Sequence, residues 1–443
     1  MPSHITKFSL KPLYMALAGA LALSAVDAAV ATTRVVTSCA DDSGAGTLRA
    51  QIGLAGSGDT IDLTDLPQAD AACSASTITL TQGQIAVSHD VTIVGPGADR
   101  LAITATGNKN LFDADAQSNY LAFRDITVTG GHNTYTHQGG CVFATHEVRL
   151  DNAVVSDCYQ QGQSSSGKYR PIYAGGAISA ETVRMTNHSA VIDNNLVLTG
   201  GFQAVMIGGG IASSYFYCTD STVSGNYAVL GTAGGVYASG GATLLRCTID
   251  SNGSSKYGGG IQTANAITID ESTISGNFAN RGGGIYAKGA VTIRNSTVAF
   301  NFAGPNFGSG IDSPNNLSAT STIIAKNTNE DGNNLDVVLA AAKNISGPSN
   351  LIMYTTANAA SGVIVSTSDP LLVPLGAHGG PTRTHALSAG SPAIDAGKNP
   401  QAFAADQRGT GFAREAPTGK PDIGAYEKQA VDDEIFYDGF GDG

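Results

Sequence analysis

The chain repeats itself about every 25 residues, and this constrains its fold more than any other feature. Gly258-Gly259-Gly260-Ile261 recurs as Gly282-Gly283-Gly284-Ile285 and Gly308-Ser309-Gly310-Ile311, with Gly208-Gly209-Gly210-Ile211 and Gly234-Gly235-Val236 upstream. The apolar residue that closes the motif stands at 178, 211, 236, 261, 285 and 311, so the steps are 33, 25, 25, 24 and 26. A second landmark keeps phase with the first. Ser221-Thr222-Val223, Cys247-Thr248-Ile249, Ser272-Thr273-Ile274, Ser296-Thr297-Val298 and Ser321-Thr322-Ile323 match, and each is followed by an asparagine: Asn226, Asn252, Asn277, Asn301 and Asn327. Two landmarks sharing one period mark a repeat architecture.

Between landmarks the chain alternates apolar and polar residues over short β-branched runs, as in Ile267-Thr268-Ile269-Asp270 and Val291-Thr292-Ile293-Arg294. That is the period of a strand, and the intervening glycines and asparagines are turn formers. Three short strands cannot form a core alone, but stacked coils can pair each strand with its counterpart about 4.8 Å away. The expected fold is all-β: a right-handed parallel β-helix. About eleven coils over residues 59–327 would be on the order of 50 Å long at one strand spacing each. Leucine-rich repeats, the rival solenoid, need a leucine pattern that is absent. The asparagine column is expected to point inward and bond coil to coil through its amides. Coils around 142–211 are longer, and Gln160–Arg170 and Val197–Gly208 read as bulging loops, where binding function tends to sit.

The two ends differ from the repeat. Residues 1–31 read as a secretory signal: Lys7 and Lys11 precede the apolar run Leu13–Val26, and Ala29-Val30-Ala31 fits a cleavage site. Export makes disulfides possible. Six cysteines allow fifteen pairings, and the expectation is chain-neighbour pairing of Cys39 with Cys73, Cys141 with Cys158 and Cys218 with Cys247. A formal charge of −12 argues against nucleic acid as a partner. No later segment is long and apolar enough for a membrane helix. Within an N-terminal cap at 32–58, Leu48, Ile52 and Ala55 share one face of a short helix. Residues 429–443 form an acidic tail containing Ile435-Phe436-Tyr437-Asp438-Gly439-Phe440, read either as disordered or as a recognition signal.

Residues 328–428 form a separate C-terminal region, with distinct words in order: Asp369-Pro370-Leu371-Leu372, His378-Gly379-Gly380-Pro381-Thr382-Arg383, Gly390-Ser391-Pro392-Ala393-Ile394-Asp395, Asp406-Gln407-Arg408-Gly409 and Asp422-Ile423-Gly424-Ala425-Tyr426-Glu427. This stretch resembles the choice-of-anchor Q domain family. The repeats resemble the pectate-lyase-like β-helix superfamily, and Gly46 to Ala55 is similar to the opening of bacterial β-helix repeat proteins. The resemblance implies an exported bacterial β-helix carrying a C-terminal sorting or anchoring tail, and it implies no reaction. Residues 328–428 are expected to form a loop-rich C-terminal cap, and the ending Ile435-Phe436-Tyr437-Asp438-Gly439-Phe440 looks like that of some exported proteins of Gram-negative bacteria.

Candidate chemistry falls in two places. On the outer face of the regular coils, Tyr237 and Tyr286 could stack on sugar rings, while Asp270 and Arg294 could contact a chain or simply pair with each other. In the C-terminal region His378, His385, Asp395, Asp406, Asp422 and Glu427, with Arg383, Arg408 and Arg414, could bind metal. The favoured alternative is a network pinning the region to the coils. The paired-aspartate and Arg-x-Pro words of polygalacturonases and pectate lyases are not recognisable, so no catalytic residue, metal or cofactor is assigned. The expected function is a secreted or cell-surface, noncatalytic, adhesin-like protein that binds glycan or matrix. A polysaccharide lyase or glycoside hydrolase is the alternative, since fold alone does not settle function.

Overall fold

The computed structural model describes residues 31–429 apart from 68–69, 71–72, 74–75, 115–117, 135–137, 164–171, 200–204, 334 and 416–418. The signal segment and acidic tail lie outside the described residues, as do parts of both bulging loops. No helix among the described residues is long and apolar enough to cross a membrane.

The chain winds into a parallel β-helix of about eleven turns. One sheet takes a single strand from each of twelve levels, from Thr77–Leu80 to Ile364–Ser366. Its inward column shows why the stack holds. Ile78, Ile103, Val128, Val155, Val191, Val223, Ile249, Ile274, Val298, Ile324 and Ile352 follow one another in register. All are fully buried. The apolar residue after each glycine motif forms a second such column, through Ile178, Ile211, Val236, Ile261, Ile285 and Ile311. β-Branched side chains fill such columns well because one χ1 rotamer serves every level.

The asparagines form a continuous buried ladder. From Asn226 through Asn252, Asn277 and Asn301 to Asn327, each Nδ2 donates to the next Oδ1 at 2.8–3.0 Å. Each Oδ1 from Asn252 to Asn327 also accepts the backbone N–H of the asparagine above. Asn194 extends the ladder upstream. It ends on Asp336, whose Oδ1 accepts from Asn327 at 2.8 Å and whose Oδ2 accepts from Tyr354 N–H. A carboxylate suits this end because it accepts without needing a further acceptor; burial pushes its pKa up to about 6. Beside the ladder the backbones come very close. A Cβ on Gly259 would lie 2.4 Å from the carbonyl oxygens of Gly283 and Phe278, so the glycine column is a packing requirement.

Parallel pairing reaches past the regular repeat at both ends. Thr33–Val35 pairs with Asp59–Asp62, so the segment read as a cap contributes a strand as well as the helix Leu48–Gly53. That helix is N-capped by Thr47 and buries Leu48 and Ile52 against the core. At the far end, Asn344–Ser346 and Asn358–Ala359 still pair in parallel.

The C-terminal segment then turns back along the side of the helix. Its only bridges among the described residues are isolated and antiparallel, such as Leu372 with Leu387. Burial shows where it lies. In the twelve-stranded sheet Thr222–Ser224 alternates intermediate and buried, whereas Thr248–Asp250, Thr273–Ser275, Thr297–Ala299 and Ile323–Ala325 are buried on both faces. The C-terminal cap is therefore a lateral cover over the middle and late coils, with Ile323, Ala325 and Leu351 joining Leu387, Ala393, Ile423 and Tyr426 in a second core.

Replacing Asn277 with alanine is expected to cost about 3 kcal/mol or more, since it removes the acceptor of both Asn252 donors and the amide donor to Ile249 O, all away from water. A urea unfolding midpoint measures this, and Asn265→Ala, on an exposed turn, serves as the near-neutral control.

Candidate functional site

The four outward residues singled out in the regular coils do not assemble into one site. Tyr237 and Tyr286 stand two levels apart with Gln262 between them in register. Tyr286 is 8% exposed: Tyr257 stacks on it at 5.0 Å, and the Arg281 guanidinium lies over the ring at 5.2 Å. Arg281 is in turn paired with Asp312 at 2.9 Å. The ring is committed to neighbouring side chains and offers little free face. Asp270 and Arg294 are directly opposite and form a two-pronged ion pair at 2.6 and 2.7 Å.

A denser constellation lies on the same sheet, in the longer coils. The strands Tyr120–Arg124, Glu147–Asp151, Ile178–Thr186 and Ile211–Thr219 stack in register. Alternation sends Leu121, Phe123, Val148, Leu150, Val183, Met185, Phe216 and Cys218 into the core. It therefore sends the intervening residues outward in three rows. The first row is Tyr120, Glu147, Thr182 and Tyr215. The second is Ala122, Arg149, Arg184 and Tyr217. The third is Arg124, Asp151 and Thr186.

These rows lock together. Arg149 lies over the Tyr120 ring and Arg184 over the Tyr217 ring, each at 4.1 Å. Glu147 sits between the two arginines and accepts from both, at 2.8 and 2.7 Å. Asp151 accepts from Arg124 at 3.0 Å and from Asn187 at 2.6 Å. The Glu147 carboxylate pushes the Arg149 pKa upward. Side chains of Arg124, Arg149 and Arg184 are 51, 46 and 49% exposed. They border a shallow groove of about 220 Å³ that also includes Thr92, Ala122 and Thr186. Three arginines stand here against Glu147 and Asp151, with Asp90 close enough to act on Arg149. Guanidiniums fixed by stacking and by a shared carboxylate are prepared to bind carboxylate or hydroxyl oxygens.

The second cluster, in the C-terminal region, is a docking network. Arg414, fully buried, donates to Glu271 on the coils and to Glu427. Burial drives both carboxyl pKa values up, and the Arg414 charge pulls them back down. Asp406 accepts from Arg408 and from Glu427 N–H. Arg408 is sandwiched between Phe412 and Tyr426 at 4.0 and 3.8 Å. Asp422 accepts the backbone N–H groups of Asp395 and Lys428. Arg383 reaches Asp250 at 2.6 Å, and Gln407 threads between Thr248, Thr273 and Thr382. His385 is bracketed by Ser275 Oγ at 2.8 Å and the Val373 carbonyl at 2.7 Å. His378 packs edge-on to Tyr426. The carboxylates face N–H donors, as a pinning network requires, and Glu271, absent from the sequence candidates, is its anchor on the coils.

The three disulfides join Cys39 with Cys73, Cys141 with Cys158 and Cys218 with Cys247. Asp70 lies close to Cys39 and Cys73 in a group of metal-ligand type, but those two sulfurs are bonded to each other and are not thiolates.

Removing one partner of the buried network should loosen the cover. Arg414→Met is expected to cost about 3–5 kcal/mol and to open residues 369–429 to protease, with partial recovery in Arg414→Met/Glu271→Gln. Burial lowers the His385 pKa from 6.5 to about 4, so the unfolded chain binds the extra proton first as pH falls. The neutral imidazole contributes fully above pH 6.5, and up to about 3 kcal/mol is lost as pH falls to 4. Thermal melts should show His385→Gln with less acid destabilisation than the parent over that window.

No protein-family model matches the chain, and no curated protein matches it. Among solved structures, the crystal structure of pectate lyase Pel9A aligns over 90% of this chain and 96% of its own, at a TM-score of 0.47 and 13% identity.

Proposed function

We propose that this chain is an exported β-helix protein that binds an acidic extracellular polysaccharide along the arginine–tyrosine face, without cutting it. The observation that carries the reading is the pair of exposed guanidiniums, Arg149 and Arg184, each held over a tyrosine ring and bridged by Glu147. Uronate units present carboxylates and hydroxyls for the guanidiniums and apolar ring faces for the tyrosines. Export rests on the signal segment at 1–31 and accords with three disulfides. The resemblance of the C-terminal words to the choice-of-anchor Q family fits a cell-surface role, and the tail at 429–443 is proposed as its recognition signal.

The carboxylates that border the stacked arginines are engaged as their partners: Glu147 with Arg149 and Arg184, and Asp151 with Arg124. Glu181, on the strand Ile178–Thr186, is exposed and faces His146 at 3.4 Å. The engagement of Glu147 and Asp151 favours binding over a lyase or hydrolase reaction at the arginines, which needs a carboxylate or base there free to take or give a proton.

Affinity electrophoresis through polygalacturonate, alginate and neutral dextran tests the reading. Retardation is expected in the uronate gels, weakening with salt. In Arg149→Ala/Arg184→Ala the affinity should fall about tenfold or more, as charge-assisted contacts of about 1.5–3 kcal/mol imply. Equal retardation of the double variant would overturn the assignment of the site, and release of unsaturated oligosaccharides from any of the polymers would overturn the noncatalytic reading.

A further inference from the structure

Where the lateral cover meets the coils it leaves a cavity of about 720 Å³, within the range of small-molecule sites. One wall comes from the coils and includes His188, Asp220 and Arg246; the other comes from the cover and includes Gly379, Gly380 and Phe403. We propose that this cavity is a terminal subsite that takes one pyranose unit, recognised through vicinal hydroxyls and through one apolar ring face. As the end of a bound polysaccharide it rests on the reading above, since it takes its place from the arginine–tyrosine groove.

Asp220 and Arg246 supply the polar recognition. They form a two-pronged pair at 2.6 and 2.7 Å through Nε and Nη2, and their side chains are 20 and 26% exposed. Arg246 Nη1 takes no hydrogen-bond partner among the described residues. The pair therefore offers a donor from a fixed guanidinium beside carboxylate acceptors, with no net charge. Two adjacent hydroxyls, each both donor and acceptor, complement that arrangement. Phe403 is half-buried at the cavity wall and supplies an apolar surface for the C–H face of a ring.

His188 is the second independent sign. Asn187 and His188 are successive non-glycine residues in the left-handed region, at φ 51° and 66°. Such backbone is unfavourable, and at His188 it presents an exposed imidazole at the cavity. The ring makes no hydrogen bond among the described residues, while its backbone N–H is fixed to the Asp220 carbonyl at 2.8 Å. Non-glycine residues also hold left-handed turns at Asp220, Arg246, Glu271, Asn295 and Ser321, so the backbone does not select the histidine; what points to a ligand is the exposed imidazole, without a hydrogen bond among the described residues, at the cavity.

Position links the cavity to the groove. Thr186 borders the groove and His188 borders the cavity, two residues further along the chain. A polysaccharide lying across Arg149 and Arg184 toward that corner reaches the cavity, where Gly379, Gly380 and Phe403 of the cover form the far wall. The cover thereby builds half of the subsite.

Ligand-observed NMR and calorimetry on the full chain, with D-galacturonate, D-glucuronate, D-galactose and D-glucose as probes, test the proposal. Saturable binding of at least one probe is expected, weakened tenfold or more in His188→Gly and in Phe403→Ala. A merely structural role for His188 predicts an unchanged or raised melting temperature in His188→Gly with binding intact. A raised melting temperature with binding lost supports the subsite, whereas binding intact in both variants, or no saturable binding of any probe, overturns it. Arg149→Ala/Arg184→Ala separates the two readings. Polymer retention lost with monosaccharide binding kept supports both sites; polymer retention in the parent without monosaccharide binding overturns the subsite alone; monosaccharide binding without polymer retention overturns the face alone.

Discussion

In-register parallel pairing is the constraint on which the rest of this molecule depends. Once Ile249 sits under Val223 and over Ile274, every other residue of those strands is committed to one face. A slip of one residue would turn the whole inward column to solvent. The register is held twice over, by main-chain bonds between coils and by the asparagine ladder, whose amides bond only at one level spacing. The ladder also satisfies buried carbonyls at the turn, as when Asn277 Nδ2 donates to Ile249 O. Apolar columns fill the interior; polar ladders decide which residue lies above which. Because the constraint is repeated at each level, the coils tolerate very different lengths between anchors, and loops grow outward without disturbing the core.

The lateral cover follows from the same regularity. Stacked strands expose a flat outer face, and in the regular coils that face carries Thr248, Thr273 and Thr297, small residues at one register position. A strandless segment can lie on them and use their hydroxyls: Thr248 donates to the Arg383 carbonyl, Thr273 to Gln407, and Thr297 accepts from Ala425. The turn column beside them is left-handed at Asp220, Arg246, Glu271, Asn295 and Ser321, with φ between 45° and 54°. One fixed turn geometry thus presents different side chains at successive levels. At Glu271 it anchors the cover; at Asp220 and Arg246 it lines the cavity beside it. A purely apolar joint could have held the cover as well, and the buried Arg414 pair with Glu271 and Glu427 ties it to one level.

What could be read from the sequence divides along the same line. The glycine and asparagine columns are local signals at a fixed period, so the fold, the inward ladder and the strand alternation were legible from Asn226 to Asn327. Asp270 and Arg294 were legible as neighbours because they occupy the same position in adjacent repeats. Tyr286 was legible as outward but not as covered, because Tyr257 and Arg281 reach it from other parts of the coil. The arginine–tyrosine face was missed for a definite reason. Its rows step from 120 to 147, 182 and 215, that is by 27, 35 and 33 residues, and no constant period aligns them. Glu271 carries no such signal, since its partner Arg414 is 143 residues away in a segment that has no repeat of its own.

The irregular coils carry a surface that the regular ones lack, and the difference is one of side chains. The broad sheet is interrupted in regular and long coils alike, as between Ile261–Thr263 and Ile267–Asp270 and between Val142–Ala144 and Glu147–Asp151. Ile178–Thr186, Ile211–Thr219 and Val236–Leu245 run through without a break, yet the steps from Ile211 to Val236 and from Val236 to Ile261 are the regular 25 residues. Coil length therefore does not decide strand continuity. At the register position of Arg149 and Arg184 the following levels carry Tyr217, Thr243, Thr268 and Thr292, so the guanidinium–ring pairs end where that row passes to threonine. The cover lies on the other, twelve-stranded sheet, over Thr248, Thr273 and Thr297. Recognition and docking thus occupy two sheets of one solenoid, and the cavity lies at the turn between them, where Asp220 and Arg246 stand.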